Sequence, residues 1–341
     1  RKNYEHCMEF KPDSGTKEHI MELKNYRRTD LALELQEEQG DAGRGIDFTE
    51  RQEGKVTVST LTVKNKEGAE LLGKPVGRYV TLSFGKPWLF SEEERQEVSN
   101  CLAAELKGLF ALAGAGEPSW ESGTKGQEEK EAGKESGGKA GKASGRERTV
   151  LVVGLGNRRM TADAVGPGTL DKITVTRHVK SLDPALFREL GRRTVAAMAP
   201  GVLGDTGMES AEMVRAVVKE LKPCALLAVD ALAARSVSRL ATTIQLCDTG
   251  ISPGAGVGND RPALNREYMG VPVIALGVPM VVDSSTLVTD MLEMAGVDPL
   301  PEGLEPVLKN GRSFFVSLKE ADAALEALTD LLAEGIDLAM E

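Results

Sequence analysis

The chain has 341 residues, 41% of them hydrophobic, and a formal net charge of −10. An ordinary apolar fraction without a long uninterrupted hydrophobic run points to a globular protein of one large domain or two. The acid excess argues against a general binder of nucleic acid or of anionic membranes, since either contact needs a basic surface.

Residues 1–14 are polar, start without Met and lack the apolar stretch of a secretory signal, so they read as a tail or a truncated start. Residues 55–63 and 78–84 alternate apolar and polar side chains at period two, which predicts a half-exposed β-pair and a small β-rich subdomain. Ser91 then caps a helix that opens on Glu92, Glu93 and Glu94 and carries Leu102, Leu106, Leu109 and Phe110 along one face. Residues 114–148 are rich in Gly, Lys, Glu and Ser; too little surface can be buried there to offset ordering entropy, and a disordered insertion is expected.

Beyond the insertion, strands at 150–154, 225–229, 242–247, 272–277 and 313–317 alternate with helices after Thr161 and at 210–221, 284–295 and 318–333. This alternation predicts an α/β fold with a mostly parallel central sheet and helices on both faces. Residues 31–113 then form the N-terminal part of that domain and 149–341 its main part.

Asp163 follows the apolar strand that begins at Val150, and Asp230 closes the run 225–230. In open α/β sheets ligands bind at the carboxyl ends of the strands, so two acids delivered there can meet over one substrate bond. Two close carboxylates cannot both ionise cheaply: the ionised one can activate water while the protonated one polarises a carbonyl. That chemistry needs neither serine nor metal. Each aspartate taken singly also suits a helix cap, and a metal bridged by the pair is a chemical alternative.

Other motifs lead elsewhere. In Gly154-Leu-Gly156-Asn157 the third glycine of a dinucleotide turn falls on Arg159, so a tight turn shaping another kind of site is expected. Gly250-Ile-Ser252-Pro-Gly254 matches a nucleophile elbow in letters, but Pro253 has no N–H for an oxyanion hole. The glycines from Gly250 to Gly258 would instead bring backbone close to a ligand or substrate, or form a purely conformational turn. Asp205-Thr-Gly and Asp248-Thr-Gly resemble a triplet that belongs to an all-β fold; Asp248 either lines the crevice or forms an Asx turn. Only His6, His19 and His178 occur, with no metal spacing, and Cys7, Cys101, Cys224 and Cys247 read as free thiols of a reducing cytoplasm.

Several ordered stretches then resemble one family: 26–34 (YRRTDLALE), 156–167 (GNRRMTADAVGP), 176–178 (TRH), 199–204 (APGVLG), 229–236 (VDALAARS) and 248–259 (DTGISPGAGVGN). They are similar to the germination proteases, spore endopeptidases that degrade small acid-soluble spore proteins. The resemblance implies a fold related to the hydrogenase maturation proteases, a homotetramer, residence in the spore cytoplasm, no cofactor, and a zymogen that removes its own N-terminal propeptide. The family's catalytic aspartates fall on Asp163 and Asp230, with Gly156, Asn157, Asp248, Gly254, Gly256 and Asn259 shaping the cleft.

The family cuts after an acid and before a bulky apolar residue followed by Ala, a pattern offered here by Asp30, Leu31 and Ala32. Processing is therefore expected between Asp30 and Leu31, which makes 1–30 the propeptide. Arg27 stands where family substrates carry an acid, three residues before the cut residue. The alternatives are a metal-dependent hydrolase using the same aspartates, and a non-catalytic protein binding an anion at Gly154 to Asn157.

Overall fold

The computed structural model describes residues 28–39, 45–115, 149–252, 262–297, 304 and 314–341. Helix α1 (Ala32–Gln39) precedes strands β1 (Ile46–Glu53) and β2 (Val56–Val63), helix α2 (Lys66–Leu72), strand β3 (Gly77–Ser83) and helix α3 (Glu92–Leu112). Strand β4 (Thr149–Gly154) leads through a 3-10 turn (Thr161–Asp163) to helices α4 (Val165–Leu170), α5 (Arg177–Leu182) and α6 (Pro184–Leu190). Strand β5 (Thr194–Met198), helices α7 (Leu203–Thr206) and α8 (Ser210–Leu221) and strand β6 (Ala225–Ala234) follow. The chain closes with β7 (Thr243–Cys247), α9 (Arg266–Met269), β8 (Val273–Asp283), α10 (Ser284–Met294), β9 (Phe315–Val316) and α11 (Ala321–Ala339).

The nine strands among the described residues belong to one sheet, ordered β1-β2-β3-β7-β8-β6-β4-β5, with β9 added to β8. The α/β class holds, but the sheet is mixed. Strands β5, β4, β6 and β8 run parallel, whereas β1, β2, β3 and β7 pair antiparallel with their neighbours and with β8. The parallel half is where helices such as α8 supply crossovers; on the other side, Gly54 and Lys55 join β1 to β2 too tightly for anything but a hairpin.

The expected β-pair forms between β2 and β3, yet β2 is an interior strand and mostly buried rather than half exposed. Its apolar side chains serve both faces. Val56 and Val58 join the cluster under α3 and α11, while Leu61 and Val63 pack with Ala32 and Leu72 on the opposite side. Helix α3 starts as expected: Ser91 Oγ accepts from the Glu94 N–H at 3.3 Å and the Glu94 carboxylate accepts from the Ser91 N–H at 2.8 Å, a reciprocal capping box.

One sheet face is covered continuously. Val150, Val152, Leu227, Val229, Leu276 and Leu246 lie there beneath Leu102, Leu106, Leu328 and Leu332 of α3 and α11. The other face is divided. Helix α8 brings Val214 and Val218 onto Leu151, Val153, Leu226 and Ala228, whereas Leu31 packs separately with Leu232, Ala234, Leu240 and Val282. Beside the Leu31 cluster lies a groove lined by Asp30, Lys74, Leu232, Gln245, Gly250 and Gly277 among others.

Two strands outrun their expected ends. β6 continues past Asp230 to Ala234 because β8 continues beside it, pairing as far as Val282 with a register shift between Leu232 and Ala233. The last helix likewise extends to Ala339, where Ile336 and Ala339 are buried in the main core. Of the expected insertion, Gly114 and Ala115 finish the α3 end; residues 116–148 lie outside the described residues. Among the described residues no helix is long and apolar enough to cross a membrane.

Candidate active site

Strand β4 stops at Gly154, opposite Val229, and the next N–H, that of Leu155, still donates to the Val229 carbonyl at 2.8 Å. The chain therefore leaves the sheet beside Asp230. It turns at Gly156, whose φ of +109° belongs to glycine, and a Cβ there would stand 2.1 Å from the Asp163 carbonyl oxygen and 2.9 Å from its Oδ1. Asp163 sits on the 3-10 turn, which packs against β6 and β8, and its Oδ2 accepts from the Asn157 N–H at 2.8 Å. The Asn157 side chain accepts in turn from the Arg159 N–H at 3.0 Å, while Thr161 ties the turn to Asp322 of α11 at 2.8 Å. Asp163 is thus held by backbone geometry on a turn beyond the strand, not at the strand end itself.

Asp230 occupies the interior of β6 rather than its end, and is buried, with Oδ1 accepting from the Ala231 N–H at 2.9 Å. It is the first residue of β6 beyond the reach of β4. Alternation places it on the divided face, between Ala228 and Leu232. Across the sheet its neighbour on β8 is Gly277, whose neighbour on β7 is Gln245. A Cβ on Gly277 would come within 2.4 Å of the Leu232 side chain, so the bare glycine makes room for Leu232 to lie over β8 between Asp230 and Gln245.

The segment around Asp30 lies along this groove. Arg28 N–H donates to Thr286 Oγ1 at 3.0 Å. Asp30 pairs with Ala233 twice, its N–H donating to the Ala233 carbonyl and its Oδ2 accepting from the Ala233 N–H, each at 2.9 Å. The Asp30 carbonyl accepts from Lys74 Nζ at 3.0 Å and from Gln245 Nε2 at 3.1 Å. Gln245 Oε1 takes the Ala32 N–H at 2.6 Å, and Leu31 is fully buried.

Glu34 anchors the segment further on. Its carboxylate is buried and accepts from the N–H groups of Arg235 and Ser236 at 2.7 and 2.9 Å and from the Thr29 hydroxyl, with Arg239 at 3.4 Å. Burial raises its pKa above the ordinary 4.5, against the opposing pull of the Thr29 and backbone hydrogen bonds.

The remaining expected site residues are scattered. Asp248 follows β7 and its Oδ1 accepts from the Arg78 N–H of neighbouring β3 at 2.8 Å, a cross-strand bond rather than the local one of an Asx turn, although neighbouring Thr249, Gly250 and Ser252 do line the groove. Asp205 lies in α7, 3.7 Å from Arg159. His178 is exposed on α5. Gly254, Gly256 and Asn259 lie outside the described residues, as do His6, His19 and Cys7. Cys101, Cys224 and Cys247 form no disulfide among the described residues, and burial pushes the Cys247 thiol up. Among the described residues no group of three His, Cys, Asp or Glu converges as a metal cluster.

Sequence reasoning missed Lys74, Gln245 and Gly277. A glutamine inside the apolar strand Thr-Ile-Gln-Leu-Cys and a glycine inside Val-Ile-Ala-Leu-Gly-Val were the signals, since a buried polar group needs partners and a strand glycine marks close approach.

Comparison with known proteins agrees with the resemblance. The family model described as "Germination protease" matches residues 141–295. The germination protease of Clostridium perfringens is 35% identical over 92% of this chain and 95% of its own length, and that of Clostridium acetobutylicum 36% identical over 93% and 96%. The Bacillus subtilis germination protease is 38% identical over 78% of this chain and 66% of its own. Among solved structures, a [NiFe] hydrogenase maturation protease, HycI from Thermococcus kodakarensis, is 16% identical, with 44% of this chain and 95% of that chain covered at a TM-score of 0.26. At such identity over nearly its whole length, the chain belongs to the germination protease family, and its role is that of a spore protease.

Proposed function

We propose that this protease is an endopeptidase that begins the degradation of small acid-soluble spore proteins, that Asp163 and Asp230 activate its water, and that it processes itself between Asp30 and Leu31. The family resemblance also carries a homotetramer acting in the spore cytoplasm, with residues 1–30 as the propeptide. One observation supports the reading above all others: the backbone around Asp30 lies along a groove on the sheet face that carries Asp230, paired with Ala233 and bracketed by Gln245. It has the posture of a substrate.

The preference for an acid before a bulky apolar residue has a local basis in that posture. The Asp30 carboxylate meets a backbone N–H, and Leu31 fills an apolar site made by Leu232, Ala234, Leu240 and Val282. In the reaction one carboxylate takes a proton from water as the oxygen adds to the carbonyl carbon; the other, protonated, supplies the proton that the departing nitrogen needs. Asp163 is oriented for this by the Asn157 N–H and by the space that Gly156 leaves.

The test is the full chain carrying Asp163→Asn or Asp230→Asn, followed by intact mass and incubated with an acid-soluble spore protein. Both variants should stop producing a Leu31 N-terminus and stop cutting the substrate. Undiminished cleavage by both would end the aspartate reading.

A further inference from the structure

Two donors from separate parts of the chain converge on one peptide oxygen. Lys74 follows the Gly73 cap of α2, Gln245 sits in mid-β7, and both reach the carbonyl of Asp30, at 3.0 and 3.1 Å. We propose that Lys74 and Gln245 are catalytic residues that polarise the carbonyl of the bond being cut and hold the negative charge that develops on its oxygen. The proposal rests on the reading above that the Asp30–Leu31 bond is a substrate of this groove.

The positions are costly to justify as mere packing. Gln245 is only 7% exposed, and its amide spends its two ends on successive peptide groups either side of Leu31: Nε2 on the carbonyl of residue 30 and Oε1 on the N–H of residue 32. It therefore spans Leu31 and fixes the backbone on which the Asp30 carbonyl sits. Lys74 makes no ion pair among the described residues; its ammonium is aimed at a neutral carbonyl, where a full positive charge gains far more once that oxygen becomes anionic. Asp230, Gly277 and Gln245 form one row across three strands, so the carbonyl is gripped from the β7 side while Asp230 belongs to the β6 side of the same row, with the Leu232 side chain over Gly277.

The step balances without further reactants. Water oxygen bonds to the Asp30 carbonyl carbon as one of its protons passes to the ionised carboxylate. The carbonyl electron pair moves onto oxygen, between Lys74 Nζ and Gln245 Nε2. It returns as the bond to the Leu31 nitrogen breaks and that nitrogen accepts a proton from the carboxyl group, leaving a new carboxylate at residue 30 and an amine at Leu31.

The experiment compares the full-length wild-type chain with Lys74→Met, Lys74→Arg and Gln245→Met. It records the first-order appearance of the Leu31 N-terminus by intact mass, steady-state cleavage in trans of a synthetic peptide with the sequence of residues 24–36, and thermal unfolding. Loss of an oxyanion donor predicts about a 10²- to 10³-fold fall in the processing rate and in kcat, with KM changed only a few fold, for both Met variants. Lys74→Arg, which keeps the charge, should recover much of the loss. Lys74 is only half buried, so its variants report on chemistry even where Gln245→Met unfolds. Wild-type rates in Lys74→Met, or a change confined to KM, overturn the carbonyl clamp while the scissile bond stands. A wild-type chain that never yields Leu31 overturns the choice of bond, and the clamp with it.

Discussion

Gly156→Ala isolates the placement of Asp163 without touching a carboxylate. At φ +109° an alanine is strained, a cost of about 1–3 kcal/mol. The new Cβ would also begin 2.1 Å from the Asp163 carbonyl oxygen, so the turn must recede by roughly 1 Å before the contact reaches the tightest spacing real Cβ atoms show. A displacement of that size at a reacting group costs about 10²-fold in rate. The matched control is Gly191→Ala, also at positive φ (+60°) but with nothing within 4 Å of the added Cβ; it should lose about 1–2 kcal/mol of stability and keep its rate. Thermal unfolding by circular dichroism and the first-order rate of Leu31 N-terminus formation are measured on both. Equal destabilisation with equal, undiminished rates would refute the argument that this turn sets the position of a catalytic aspartate.

Three further perturbations probe the frame around the site. Glu34→Gln removes a carboxylate whose folded pKa is raised above 4.5 by burial, so the stability that Glu34 adds is whole below that pH and lost as pH rises through the folded value. The wild-type advantage in melting temperature over Glu34→Gln should shrink upward from about pH 4.5; parallel curves would contradict it. Leu31→Ala empties a fully buried site at a cost of about 2–5 kcal/mol, and faster hydrogen exchange at the Asp30 and Ala32 amides would report the loosened segment. Ser91→Ala breaks the α3 capping box and should cost about 1 kcal/mol in urea unfolding while leaving the processing rate unchanged.

The fold was legible where side-chain period and capping agree. β2, β3, β4, β7, α3, α8 and α10 lie close to where pattern places them, because each has one clear periodicity and a sharp start or stop. β1 was not legible: its sequence, Ile-Asp-Phe-Thr-Glu-Arg-Gln-Glu, is charged because an edge strand has only one neighbour and a mostly exposed surface. Strand direction was not legible either. Alternation of strands and helices suggests crossovers, but β7 enters between β3 and β8 without one, and that insertion turns half the sheet antiparallel.

For the site, the rule about strand carboxyl ends led to Asp230 although β6 does not end there. What matters is that β4 ends, at Gly154, and so uncovers one flank of a longer neighbour. An aspartate in mid-strand thereby has no β4 partner beside it while its own backbone remains paired with β8. The partners of that aspartate are set by register, which relates residues 230, 277 and 245 through two ladders of opposite sense. No spacing along the chain encodes that relation. The same register explains why a glycine and a glutamine that look unremarkable in two apolar strands come to lie side by side: a one-residue slip of β8 would put Leu276 or Val278 opposite Asp230 and Gln245, where only glycine leaves room for Leu232.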